Sequence, residues 1–266
     1  MHSSLGYLHH LINLYNHKYN TIFMNREIHA WHSPALNKHM EVAVYGHYGF
    51  ALLMLPTAAA DYLEYERFLM IDALSKHINA GKIKVYSINS INSESWLNRN
   101  MNPRHKIIRH QQFNDYVCNE VVPFIHHSSN GLVPIITTGA SFGALHAANL
   151  YFRRPDIFAG TIAMSGVYNL ASYTDGYFDE DCYFNSPEHY IPNLNDDYFL
   201  PRLRQAKHIH ILTGSGAYEA PDASRRFSAL LQRKGIPHEL DVWGYDVPHD
   251  WVTWRAMLPY YIETRF

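Results

Sequence analysis

Cysteine is scarce: Cys118 and Cys182 are the only two in 266 residues, and they form no C-x-x-C pair. A disulfide scaffold is thereby excluded, and two free thiols fit a reducing compartment. Charge of one sign is also lacking. The formal net charge is -2, with acids and bases mixed along the chain, so no basic surface points to nucleic acid. No apolar run is long enough to span a bilayer. No internal repeat or low-complexity tract appears, which sets aside repeat architectures. The stretch of residues 1–23 has apolar residues interrupted by His9, His10 and Asn13 and does not end at small residues, so it does not read as a secretory signal. It is expected to be an N-terminal extension of a domain that opens at Met24, in a cytoplasmic protein.

What the chain does have is apolar content of 47% and 20 tyrosines, enough for one large core. "REIHAWHS" and "HMEVAVYG" flank "PALNK" and predict an antiparallel hairpin. "FALLMLP", "KIKVYSIN", "LVPIITTG", "FAGTIAMSG", "HIHILTGSG" and "HELDVWGY" hold the short runs expected of strands. Between them lie helical patterns: Tyr62 to a stop at Gly81, Arg109 to His127 with a bend near Pro123, Phe142 to Arg154, Ala223 to Gly235, and Asp250 to Ile262. Alternation of this kind predicts a mostly parallel sheet with helices on both faces. One segment breaks the rhythm. Residues 167–201 carry many aromatics and seven carboxylates with no Lys or Arg, and read as a lid-like insertion or pocket wall.

Chemistry concentrates at Gly139-Ala140-Ser141-Phe142-Gly143, where a strand becomes a helix. This is the setting of a nucleophile elbow: serine at the apex of a sharp turn, small residues letting the turn close. A serine hydroxyl needs a base, and the base needs an orienting acid, in the chain order Ser, acid, His. Of the histidines after Ser141, only His249 lies past the last strand. Glu219 ranks first as the acid, because it follows the preceding strand. Asp222 ranks second and Asp246 third, while Asp250 is expected to cap the last helix. His208 and His210 alternate on a strand and read as packing residues. "DEDCY" offers consecutive acids that cannot all face one ion, so no metal site is expected. Two backbone N–H groups must hold the developing oxyanion. Phe142, next to the nucleophile, supplies one. Ala58 in "LPTAAADY" supplies the other, with Thr57 close behind. Trp96 and Tyr86, at or just past a strand end, are expected to line the substrate pocket.

With these motifs in view, the chain resembles the α/β-hydrolase superfamily, in its "putative esterase" branch related to enterochelin esterase and esterase D. The resemblance rests on the hairpin start, "INSESW", the G-x-S-F-G elbow, "YFNSPEHYIPNL", "GAYEAP", and "GIPHELDVWG" before a terminal H-D-W. It runs from about Met24 to the C-terminus. It implies an α/β-hydrolase fold over residues 24–266, no cofactor, Ser141 and His249 in catalysis, and a small-molecule ester as substrate. The function expected is therefore a serine carboxylic-ester hydrolase working through an acyl-enzyme. An acyltransferase on the same triad and a non-catalytic binding protein on the same fold are the alternatives.

Overall fold

A computed structural model of the chain describes residues 24–266; the expected N-terminal extension lies outside the described residues. Eight strands form one sheet: β1 (Arg26–Ser33), β2 (Lys38–Tyr45), β3 (Phe50–Leu55), β4 (Ile83–Ile88), β5 (Ile135–Ala140), β6 (Gly160–Met164), β7 (His208–Thr213) and β8 (Glu239–Val242). Their spatial order is β1-β2-β4-β3-β5-β6-β7-β8. The first two strands form the expected hairpin, and β2 also runs antiparallel to β4. Every other pair is parallel. This is the α/β-hydrolase fold.

Strand periodicity explains the two cores. Along β3, Ala51, Leu53 and Leu55 face one side and Leu52 and Met54 the other, all fully buried. Because successive side chains alternate, a strand buried on both faces reads as a near-continuous apolar run. Four long helices cover the sheet: α1 (Pro103–Tyr116), α2 (Phe142–Arg153), α3 (Pro221–Arg233) and α4 (Trp251–Arg265). Residues of α1, α2 and α3 pack into the first core and residues of α4 into the second.

Two helical expectations are corrected. The stretch from Tyr62 to Gly81 is not one helix but three short ones, Glu64–Arg67, Met70–Ala73 and Ser75–Asn79. Leu69 breaks it with a φ of 61°, a conformation costly for a residue with a branched side chain. The break turns Glu64 toward the end of β3 while Met70, Leu74 and Ile78 enter the core. The helix after α1 does not simply bend at Pro123. A π-helical turn, Val117–Val121, precedes the proline and absorbs its missing N–H before Val122–Ser128 continues. Glu120 in that turn accepts bonds from Trp31 Nε1 and Ser33 Oγ, both at 2.8 Å, and so ties the hairpin to the helix.

Residues 167–201 are not an unstructured loop. They contain the short helices Glu180–Phe184 and Pro187–Tyr190, two 3₁₀ turns, and the start of the helix Phe199–Arg204. Their carboxylates meet cations from outside the segment. Arg104 contacts Asp179 and Asp181 at 2.5 and 2.6 Å, and Lys106 lies 3.8 Å from Asp175. The segment is pinned by one buried amide: Asn185 Oδ1 accepts from Asn114 Nδ2, Asn149 Nδ2 and Arg153 Nη1 at 2.8, 3.0 and 3.0 Å.

Replacing Asn185 by Leu takes this acceptor from three donors at once. Each buried donor left unpaired costs roughly 1–3 kcal/mol, so a loss of about 3 kcal/mol or more is expected in urea unfolding. A loss below about 0.5 kcal/mol would show that the amide does not pin the segment.

At the far edge, Glu239 on β8 takes Arg265 at 2.7 and 2.9 Å and His210 at 3.0 Å, which clamps the end of α4 to the sheet. The Arg265 bonds, chiefly, hold its carboxyl at about 2. That is below the unfolded value of about 4.3, so the stabilisation is present above that pH and fades as pH falls toward the folded value. Glu239→Gln should therefore cost about 1 kcal/mol near neutral pH, screened as this edge is, with the difference from wild type closing by about pH 2.

Candidate active site

The parallel strands deliver their loops to one edge of the sheet, where ligands of such sheets bind. From β5 the chain turns sharply into α2, and Ser141 occupies the apex with φ 56° and ψ -121°. Such a conformation costs about 1–3 kcal/mol and persists only where its surroundings enforce it. They do so here through the two flanking glycines. A Cβ on Gly139 would sit 2.3 Å from Gly143 O, and one on Gly143 would sit 2.3 Å from Leu55 O and 2.6 Å from Pro56 O. The elbow closes because neither residue has a side chain. Ser141 N–H donates to Met164 O at 2.9 Å and fixes the apex to β6.

His249 lies past β8. Its Nε2 is 2.9 Å from Ser141 Oγ, and its own N–H donates to Ala217 O at 2.9 Å. Its Nδ1 faces Glu219 Oε2 at 3.5 Å, a charge contact at the outer limit of hydrogen bonding. Glu219 is buried, its side chain only 1% exposed. Ser165 Oγ donates to one of its oxygens at 2.6 Å and Thr213 Oγ1 to the other at 3.1 Å. Burial alone would raise this carboxyl. The contacts with His249, Ser165 and Thr213 outweigh it and hold the group below the usual carboxylate value.

The structure thus brings together Ser141, His249 and Glu219. The other acids stand apart. Asp222 is exposed and paired with Arg225 at 2.9 Å; it does not cap α3, whose cap position is Ala220. Asp246 is exposed. Asp250 caps α4, accepting from Trp251 N–H at 2.5 Å. His208 and His210 pack against Phe266 and Tyr261.

Phe142 N–H donates to Thr57 O at 3.0 Å. Thr57 in turn gives its N–H and its hydroxyl to the buried Glu64, at 2.8 and 2.6 Å. Asn92 Nδ2 donates to Ala58 O at 2.9 Å. Trp96 is 2% exposed and packs with Phe142 and Leu145. With Tyr173 and Lys106 it borders a cavity of about 440 Å³ beside Phe142. Tyr86 is a correction: it is fully buried, and its hydroxyl bonds Ser128 and Ser129, which precede β5 and so lie at the opposite edge of the sheet. Its position near a strand end did not reveal which way the side chain runs. A hollow of about 880 Å³ also misses the chemistry, since it opens at the Arg153 end of α2, away from Ser141.

Sequence reasoning missed Ser165, Thr213 and Trp254 as supports of Glu219. Ser165 has φ 52° immediately after β6, and Trp254 Nε1 donates to its hydroxyl at 3.0 Å. The Trp254 ring also meets His249 edge-on at 5.1 Å. A serine following an apolar run was the only trace in the chain.

The fold is that of an α/β-hydrolase, with the cluster of Ser141, His249 and Glu219 at the strand ends. A family model described as "Putative esterase" matches residues 86–262, and the chain belongs to that family. It is an esterase, a carboxylic ester hydrolase. Among solved structures it is similar to a ferulic acid esterase, at 17% identity and a TM-score of 0.70, covering 91% of this chain and 99% of that one. It is also similar to an S-formylglutathione hydrolase from Staphylococcus aureus, at 18% identity and 0.64, covering 90% and 95%. A third likeness is to an S-formylglutathione hydrolase from Agrobacterium tumefaciens, at 13% identity and 0.68, covering 92% and 99%. At these identities the likeness carries the fold. No curated protein matches the chain in sequence. Among the described residues, no helix is long and apolar enough to cross a membrane.

Replacing Trp254 by Phe keeps the ring against His249 and removes the N–H that orients Ser165. One neutral hydrogen bond of about 1 kcal/mol corresponds to a fall of roughly fivefold in kcat/KM for p-nitrophenyl acetate. An unchanged kcat/KM would separate Trp254 from the acid.

Proposed function

We propose that the protein hydrolyses small-molecule carboxylic esters through Ser141, His249 and Glu219, by way of an acyl-enzyme. The observation that carries this reading is the 2.9 Å contact between Ser141 Oγ and His249 Nε2 at the apex of a strained strand-to-helix turn. His249 accepts the Ser141 proton through Nε2 as Oγ attacks the ester carbonyl, and the N–H on its Nδ1 faces Glu219. The carboxylate holds that tautomer and stabilises the imidazolium as it forms. The backbone N–H groups of Phe142 and Ala58 receive the oxyanion. His249 then gives its proton to the leaving alcohol, the acyl group stays on Ser141, and a water activated by the same imidazole releases it. The 3.5 Å gap between His249 and Glu219 fits a resting site whose catalytic bonds shorten in the reacting complex. In this reading residues 167–201 form a fixed wall of the substrate site, with Tyr173 meeting Phe142 edge-on at 4.8 Å. A cytoplasmic location belongs to the same proposal and accords with the free thiols of Cys118 and Cys182.

Ser141→Ala should lower ester hydrolysis by roughly four to six orders of magnitude with the fold intact. A fluorophosphonate probe should label Ser141 in the wild type and nothing in the variant; labelling at Ser165 instead would falsify the assignment. Glu219→Gln should lower kcat by roughly 10³ to 10⁴, while Asp222→Asn and Asp246→Asn keep turnover within about twofold of wild type. Loss of turnover in either aspartate variant, with Glu219→Gln active, would move the acid to that residue.

A further inference from the structure

In this structure the two donors of the proposed oxyanion hole do not point into it. Phe142 N–H is taken by Thr57 O at 3.0 Å. In a trans peptide the N–H points opposite to the carbonyl, so the Ala58 N–H is directed away from Phe142. The Thr57 carbonyl stands where an oxyanion would have to sit.

What surrounds that peptide is held on every side. Leu55 O accepts from the Tyr65 hydroxyl at 2.7 Å, and the Leu55 and Pro56 carbonyls lie against Gly143. Thr57 N–H and Oγ1 are both held by Glu64, which is 5% exposed and gives one carboxylate oxygen to each. On the other side Asn92 Nδ2 holds Ala58 O, and Asn92 Oδ1 is itself 2.9 Å from His146 Nε2. Ala60 O accepts from Ser90 N–H at 3.0 Å. Between these clamps the Thr57 carbonyl is held by the Phe142 N–H.

We propose that Glu64 is the positioning residue of the oxyanion loop, and that the Thr57–Ala58 peptide turns over between the Glu64 and Asn92 clamps to open the hole. This rests on the hydrolase reading above. Opposed rotations about ψ of Thr57 and φ of Ala58 turn one peptide plane and leave both flanking residues in place. The turn carries Thr57 O away, frees Phe142 N–H, and brings Ala58 N–H to the same point. One neutral hydrogen bond is exchanged for two to an anion, and bonds to charged acceptors are the stronger ones. The open form is therefore favoured while the tetrahedral oxyanion is present, and the closed form in its absence. Glu64 sets the pivot. Without it Thr57 loses both anchors, and the turned peptide has no fixed end from which to aim Ala58 N–H.

The deciding experiment is a crystal structure of the wild-type protein with and without a trifluoromethyl ketone bound as a tetrahedral adduct on Ser141. The expected result is Thr57 O on Phe142 N–H in the free protein, and both Phe142 N and Ala58 N within about 2.7–3.1 Å of the adduct oxygen in the complex. An adduct that leaves Thr57 O on Phe142 N–H overturns the proposal and leaves the esterase mechanism standing. Failure of Ser141 to react with either this ketone or a fluorophosphonate overturns the mechanism and the proposal together. Kinetics give a second arm. Glu64→Ala should lower kcat roughly 100-fold with KM changed less than about threefold, the pattern of a contact made in the transition state. Glu64→Gln can still accept from the Thr57 N–H and donate to its hydroxyl, so it should recover most of kcat. Equal losses in the two variants, or a loss confined to KM, count against the positioning role. If Glu64→Ala does not fold, the wild-type adduct alone decides.

Discussion

The contact on which the rest of this protein depends is the one between Gly143 and the carbonyls of Leu55 and Pro56. It joins two pieces of backbone that are far apart in the chain: the end of β3, and the elbow that leads from β5 into the first turn of α2. A single added carbon at Gly143 would fall 2.3 Å from Leu55 O, well inside any real contact. The side chain is forbidden so that backbone can touch backbone. From that contact follow the placement of Ser141 at the mouth of the sheet, the reach of Phe142 N–H to the loop after β3, and the proximity of Glu64 and Tyr65 to the same loop.

Glu219 is organised on a different principle. Glu219 comes from a loop six residues past β7, and a loop alone would position it poorly. Its carboxylate is instead held by hydroxyls from two strand ends, Ser165 after β6 and Thr213 on β7, with Trp254 of α4 behind Ser165. Together with His249 these neutral donors hold the buried carboxyl below its usual range, and among the described residues no Lys or Arg pairs with it to compete with the imidazole. The electrostatic pull on His249 is left undivided.

The sequence carried the fold because strands and helices alternate with periods that only a covered parallel sheet satisfies. Ser141 and His249 were legible for a related reason: a glycine-flanked serine at a strand-to-helix turn and a histidine past the last strand each have few alternative uses. The supports were not. Glu64 lies in "LEYERF", where its neighbours read as a continuous helix, and its bonds to Thr57 join it to a loop that the helical pattern does not mark. Asn92, Ser165 and Trp254 act through contacts 34, 54 and 89 residues away in the chain, and local patterning does not encode such distances. Tyr86 misled because position near a strand end says nothing about which edge a long side chain follows.

The Asn185 amide, with its three donors from α1 and α2, bears on how this enzyme discriminates among molecules. A swinging cover adapts to its guest and tolerates variety, because closure can stop wherever the fit is good. Residues 167–201 are anchored to the helix that begins just past Ser141, so in the proposed reading they form a wall that moves with Ser141 or not at all. Selection at such a site is by shape of the vacant space. Guests slightly too large meet a rigid surface, and tolerance along a homologous series ends abruptly at one size.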